Sequence, residues 1–348
     1  MPNLTAPATL SITRMTAASA SRADLACSPD TDDVGTHYTR LMRYNNRNWT
    51  AIDLNFHTES LCYFHNLVGT PSLILMSREG MLYDADQIRS NQKIEDYNLD
   101  YSAYKNGFLY KLKYIEPHIY AVGSGGQIYS RTKDGLWHVL DIAILDKAQN
   151  DDMTWMLEYL HNPTLLNDPE INKKYLDRIF SNSTKLFLFI AGVSEKALYF
   201  GGEQAKGILY FWDGTRCSRL DLPTEKALRE ILIAPDGTVW ICGREGLLLR
   251  GRDQRFEVAL DLGSQPRFAS LAWFKDRLYL GSSSGPSALF VYDGRGVVPV
   301  NTGLTPELED AHTLEAVDDV LWVVGMKSLA RFDGTTWERI PVPGVNAE

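Results

Sequence analysis

In Val320–Ile340, VLWVVGMKSLARFDGTTWERI, a run of β-branched and aromatic residues stops at Gly325, resumes over Ser328–Phe332, turns at Asp333-Gly334 and runs out through Trp337. Short runs of strand-forming residues between tight turns predict an antiparallel meander. Asp-Gly between two such runs predicts a type I′ hairpin, which requires positive φ at both central positions. One meander cannot bury its own faces, so further copies are expected to pack against it.

The copies are present. Thr238–Leu260 repeats the pattern, with Val239-Trp240 answering Leu321-Trp322 and Gly243 answering Gly325. Arg277–Val300 and Ala197–Leu220 repeat it with Asp293-Gly294 and Asp213-Gly214 at the second turn, and His118–Asp141 with Asp134-Gly135. The opening aromatics Tyr199, Trp240, Tyr279 and Trp322 recur at intervals of about 40 residues, the period of a four-stranded propeller blade. Two fainter copies stand upstream. Ser72–Asp84 shares an Arg-Glu-Gly turn (Arg78, Glu79, Gly80) with Arg244, Glu245 and Gly246, and Leu41–Leu54 aligns Asn45-Asn46 and Trp49 with the end of the last copy. Apolar segments ahead of most units (Leu186–Val193, Leu228–Ala234, Phe268–Phe274, Thr313–Val317) supply the innermost strands. The sum is an all-β, seven-bladed β-propeller of four-stranded antiparallel blades, a single domain over residues 1–348.

The order Asp236, Gly237, Thr238, Val239, Trp240, then Gly243, resembles the sensor-type propeller repeat of bacterial two-component regulators. The resemblance covers the C-terminal half well and the N-terminal half loosely, and it implies fold rather than function. That family's membrane span and kinase do not follow here, so its signalling role does not carry over.

Between blades 3 and 4 the period changes. Met153, Met156, Leu157 and Leu160 fall on one helical face, as do Ile171, Tyr175, Leu176 and Ile179. Asn167-Asp168-Pro169-Glu170 has the composition of a helix start and His161-Asn162-Pro163 that of a stop. A helical hairpin inserted over residues 142–184 is expected. Propeller geometry places it on the face of the second-to-third-strand loops, with the Asp-Gly turns on the opposite face.

Composition narrows the function. The net charge of −9 argues against a sequence-independent nucleic-acid binder. No apolar run is long enough to span a bilayer, and Met1–Asp30 lacks the basic start and apolar core of a secretion signal. The four cysteines, Cys27, Cys62, Cys217 and Cys242, show no paired spacing and read as reduced thiols of a cytoplasmic protein. The seven histidines are scattered, with none at metal-ligand spacing. No nucleophile elbow or phosphate loop occurs, so no catalytic residue, metal ligand or cofactor is assigned.

Acidic residues on the loop face are the candidates for contact with a partner. Asp30, Asp32 and Asp33 lie in the loop Ser28–Gly35, Glu307, Glu309 and Asp310 precede the last blade, and Asp151, Asp152 and Glu158 flank Trp155 and Tyr159 in the insertion. A solvated face is the simpler reading of such charges, and Trp155 read the same way only anchors the hairpin. The sharper reading is a landing surface for a basic protein, with charge for steering and aromatics for affinity. On that reading the chain is a non-catalytic protein-binding propeller, such as an immunity protein that neutralises a bacterial toxin. A propeller enzyme acting on a sugar or lactone in the central channel is the rival, and an assembly scaffold the third reading.

Overall fold

The structure, a computed structural model, describes residues 9–30, 38–65, 69–84, 89–94, 107–132, 135–146, 170 and 184–345. These form seven antiparallel sheets of four strands, each built from consecutive strands. The inner strands are Leu10–Ser19, Thr58–His65, Leu109–Ile115, Leu186–Ser194, Leu228–Ile233, Phe268–Phe274 and Thr313–Val317. The innermost segments expected from sequence are therefore borne out, as is the all-β seven-bladed propeller. The helical hairpin expected within 142–184 falls almost wholly outside the described residues, as do Asp32, Asp33, Asp151, Asp152, Trp155, Glu158 and Tyr159.

Each blade buries both faces, so the core divides into layers between neighbouring blades. Phe187 packs with Tyr120 and Val122 between blades 3 and 4, whereas Phe189 packs with Leu228 and Ile241 between blades 4 and 5. Residues two apart on a regular strand share a face. Here a β-bulge between Phe187 and Phe189 sends them to opposite layers. Bulges recur near the same end of the inner strand in blades 1, 2, 5 and 6, between Ile12 and Arg14, Thr58 and Ser60, Leu228 and Glu230, and Phe268 and Ser270. The extra residue is thus Thr13, Glu59, Leu188, Arg229 or Ala269, and its side chain leaves the ladder's alternation.

The turns differ from the type I′ expectation. Gly214, Gly294 and Gly334 have φ of 95°, 96° and 100°, but the preceding Asp213, Asp293 and Asp333 are not in the left-handed region. The loops are longer, since Phe332 pairs with Trp337 across residues 333–336. The aspartate acts through its side chain: Asp333 Oδ1 accepts from the backbone N–H of Thr335 and Thr336 at 2.7 and 2.8 Å. Asp293 and Asp213 do the same. Paired positive φ occurs instead at Asn46-Arg47, Asp253-Gln254, Lys275-Asp276 and Asp318-Asp319. The blade 1 turn is therefore Asn46-Arg47, one residue beyond the Asn45-Asn46 expected. Asn, Asp and Lys tolerate this region well enough where a two-residue loop must follow strand twist.

No strand is shared between the first and last blades among the described residues. The seam between them closes through Leu10 N–H to Gly344 O (2.9 Å), Ile12 N–H to Met326 O (2.8 Å) and Trp322 Nε1–H to Ser19 O (3.2 Å). Tyr44, Trp49 and Trp322 form an aromatic cluster across it.

Candidate partner-binding face

The loops that join second to third strands share a face with the connections between blades, and the inner strands start there. On this face the structure separates the sequence candidates. Asp30 accepts a hydrogen bond from Ser11 Oγ at 2.5 Å and forms an ion pair with Lys327, which also donates to Leu10 O. Partial desolvation would raise its pKa, but these partners outweigh it and hold the carboxyl below its usual range. Glu307 is turned onto its own loop, accepting from the backbone N–H of Thr302, Gly303 and Leu308. Asp310 accepts from Met326 N–H at 3.0 Å and lies against Gly325, where a Cβ would stand 2.3 Å from Asp310 Oδ1. Glu309 is exposed. Three of the four described candidates are thus tied into the scaffold of blades 1 and 7, and the fourth faces solvent.

Arginine–glutamate clusters at the channel mouth are the feature that sequence reasoning missed. Glu59, a bulge residue with a side chain only 5% exposed, receives Arg14 at 2.5 Å and Arg78 at 2.6 Å. Glu203 receives Arg229, another bulge residue, at 3.2 Å and Arg244 at 3.6 Å. Arg78 and Arg244 open the two Arg-Glu-Gly turns, so the repeated tripeptide carries a repeated role. Lys226, just before the inner strand of blade 5, bridges Glu245 and Asp261 at 3.0 and 2.6 Å, tying the two connections that flank blade 5 to its loop. Bulges and pairings between strands bring these groups together, which spacing along the chain cannot show.

Inside the channel, Lys111 of blade 3 reaches Glu230 of blade 5 at 2.6 Å, passing blade 4. Glu315 accepts from Ala17 N–H at 3.0 Å, and desolvation there raises its pKa. Burial pushes the pKa of His57, beside the Glu59 cluster, below its usual value. Burial pushes the Cys27 and Cys62 thiols up to about 12, which removes them as nucleophiles near neutral pH. No group of three His, Cys, Asp or Glu among the described residues is arranged to hold a metal ion. The described part of this face is therefore mixed in charge, with Glu59 and Glu203 each shared between two arginines, Phe108 exposed beside Arg78, and Met326 also exposed.

The described residues on either side of the expected insertion meet at the blade 3–4 junction. Lys185 N–H donates to Asp146 Oδ2 at 3.0 Å, Lys185 Nζ forms an ion pair with Asp146 and donates to Ile144 O at 3.0 Å. Both ends of the intervening segment are thereby fixed to the blade 3–4 junction.

No family model matches the chain. Over 154 residues it is 34% identical to the immune protein Tsi7 of Pseudomonas aeruginosa, a stretch covering 44% of this chain and 48% of that protein. The chain thus spans about half the length of the curated relative it matches. Among solved structures it resembles the WD40 propeller domain of Doa1 (10% identity, 92% of each chain, TM-score 0.59). It also resembles YCF48 bound to D1 peptide (13% identity, 92% of this chain and 90% of that one, TM-score 0.59). The extracellular domain of a putative hybrid two-component system from B. thetaiotaomicron gives 14% identity, 92% of this chain, 37% of that one and a TM-score of 0.57. These structural likenesses carry the propeller fold alone, and remotely include the two-component regulators whose repeat the sequence resembles.

Proposed function

We propose that this chain is an immunity-type propeller that binds a toxin domain and blocks it, acting in the cytoplasm. The observation that carries the reading is the 34% identity to an immune protein. The loop face supports it as the contact surface. Exposed arginines there stand beside exposed apolar side chains, a composition suited to a protein hot spot. Trp155 and Tyr159, with Asp151, Asp152 and Glu158 in the segment that starts at Asp146 and ends at Lys185, are proposed as contacts together with Glu309, Asp32 and Asp33. A basic partner suits these carboxylates, because Asp30, Glu307 and Asp310 are already engaged within the scaffold. The Lys111–Glu230 pair across the channel favours binding at the surface over chemistry on a sugar or lactone inside it.

Affinity capture of the native chain from its source cells tests this reading. A stoichiometric basic polypeptide that dissociates as salt rises is expected, since exposed charges are screened over about 8–10 Å at physiological ionic strength. Recovery of the chain with no bound polypeptide, or with one whose affinity ignores salt, would contradict the proposed mode.

A further inference from the structure

Two blades carry the same cross-strand trio, and the difference between them exposes a second site. In blade 7, Trp322 stands opposite Arg331 and Arg331 opposite Glu338; in blade 5, Trp240 stands opposite Arg250 and Arg250 opposite Glu257. The blade 7 trio latches onto the first turn of the next blade: Trp322 Nε1–H donates to Ser19 O and Arg331 to Ala20 O, at 3.2 and 2.8 Å. The corresponding turn beside blade 5 is Lys275-Asp276, and no such latch forms. Trp240 is 6% exposed, yet its Nε1–H is buried with no hydrogen-bond partner. Arg250 pairs only with Glu257 and is 52% exposed, against 22% for Arg331. A groove of about 740 Å³ takes the place of the latch, lined by Trp240, Arg250, Trp273, Arg277 and Tyr292.

We propose that this groove between blades 5 and 6, on the turn side and away from the loop face, binds an acidic polypeptide segment. Its donors are an indole N–H and two guanidinium groups, Arg250 and the exposed Arg277. The guanidinium groups are open to a carboxylate in charge-assisted contacts, which are strong, whereas the indole N–H is sealed from solvent and must be uncovered to donate. Asp293, at the rim, is spent on the backbone of Arg295 and Gly296, while Asp276 remains and limits how many carboxylates fit. The rings of Trp273 and Tyr292 offer apolar walls for the peptide between its charges.

The probes are a capped tri-aspartyl peptide and its tri-asparaginyl counterpart. The readout is the indole ¹H–¹⁵N resonance that disappears in Trp240→Phe. Saturable movement of that resonance by the acidic peptide alone is expected, weakened at least tenfold in Arg250→Gln combined with Arg277→Gln. No movement, equal movement by both peptides, or unchanged affinity in the double variant overturns the proposal. An unfolding comparison guards the premise: both Trp→Phe variants lose buried ring volume, but Trp322→Phe also loses the bond to Ser19 and lowers the urea midpoint further than Trp240→Phe. Equal losses in the two variants would show that the Trp240 N–H already has a partner, and the proposal would fall.

Discussion

Glu59 sits almost wholly out of solvent and accepts from both Arg14 and Arg78. Replacing it by Gln leaves two guanidinium groups without their shared carboxylate. Because both arginines are about half exposed, water recovers part of the loss, and a cost of about 2 kcal/mol in urea unfolding is expected. Asp24 gives a prediction in pH. It is fully buried, and desolvation raises its pKa from 3.8 despite Tyr63 and Arg43, which lower it. A carboxyl whose folded pKa lies above the unfolded one holds its proton more tightly when folded. Its contribution to stability is therefore fully present below about 3.8 and is lost as pH rises through the folded value. In Asp24→Asn this dependence disappears, so the variant should gain on the wild type as pH rises above about 3.8, whatever the offset from the lost Arg43 pair. A stability difference that is flat over that range would show that Asp24 is ionised at no cost. None of this was legible in the sequence, where Glu59 and Asp24 are single carboxylates in apolar runs.

At the scale of the element, the strands were legible and the turns less so. Runs such as Leu228–Ile233 and Phe268–Phe274 announce themselves because an inner strand must be apolar toward both neighbouring blades. Turn geometry follows from finer competition. Asp333 spends its carboxylate on two backbone N–H groups instead of entering the left-handed region, so the loop lengthens and the type I′ form is lost. Bulges leave no trace in composition either, although they aim Glu59 and Arg229 at the channel mouth. Gly325 leaves no room for a methyl group. A Cβ there meets Asp310 Oδ1 at 2.3 Å and Asp310 O at 2.6 Å, and Gly325→Ala should cost about 2 kcal/mol by overpacking. Thermal unfolding of Gly325→Ala at the wild-type midpoint would contradict that tight approach.

For the whole molecule, closure rests on side-by-side packing of blades 1 and 7. Trp322 is central to that seam, being fully buried and bonded to Ser19. Trp322→Ala should cost about 3–5 kcal/mol, and an unaffected unfolding midpoint would move the burden of closure elsewhere. The insertion, in contrast, is expected to be dispensable for the ring, because Asp146 and Lys185 hold its neck from below. The face of its attachment was legible from strand order, while its expected helical periodicity lies outside the described residues. The shared glutamates at the channel mouth were not, because each cluster draws on separate strands or blades. The function proposed at this scale is neutralisation of a toxin by the loop face. The most direct measurement is growth of a host expressing the polypeptide captured with the chain, alone, with the chain, and with a variant carrying a short Gly-Ser linker in place of residues 147–184. Arrest by the polypeptide alone, rescue by the chain, and failure of the folded variant to rescue are the predicted results. A polypeptide that does no harm, or equal rescue by the variant, would contradict the account.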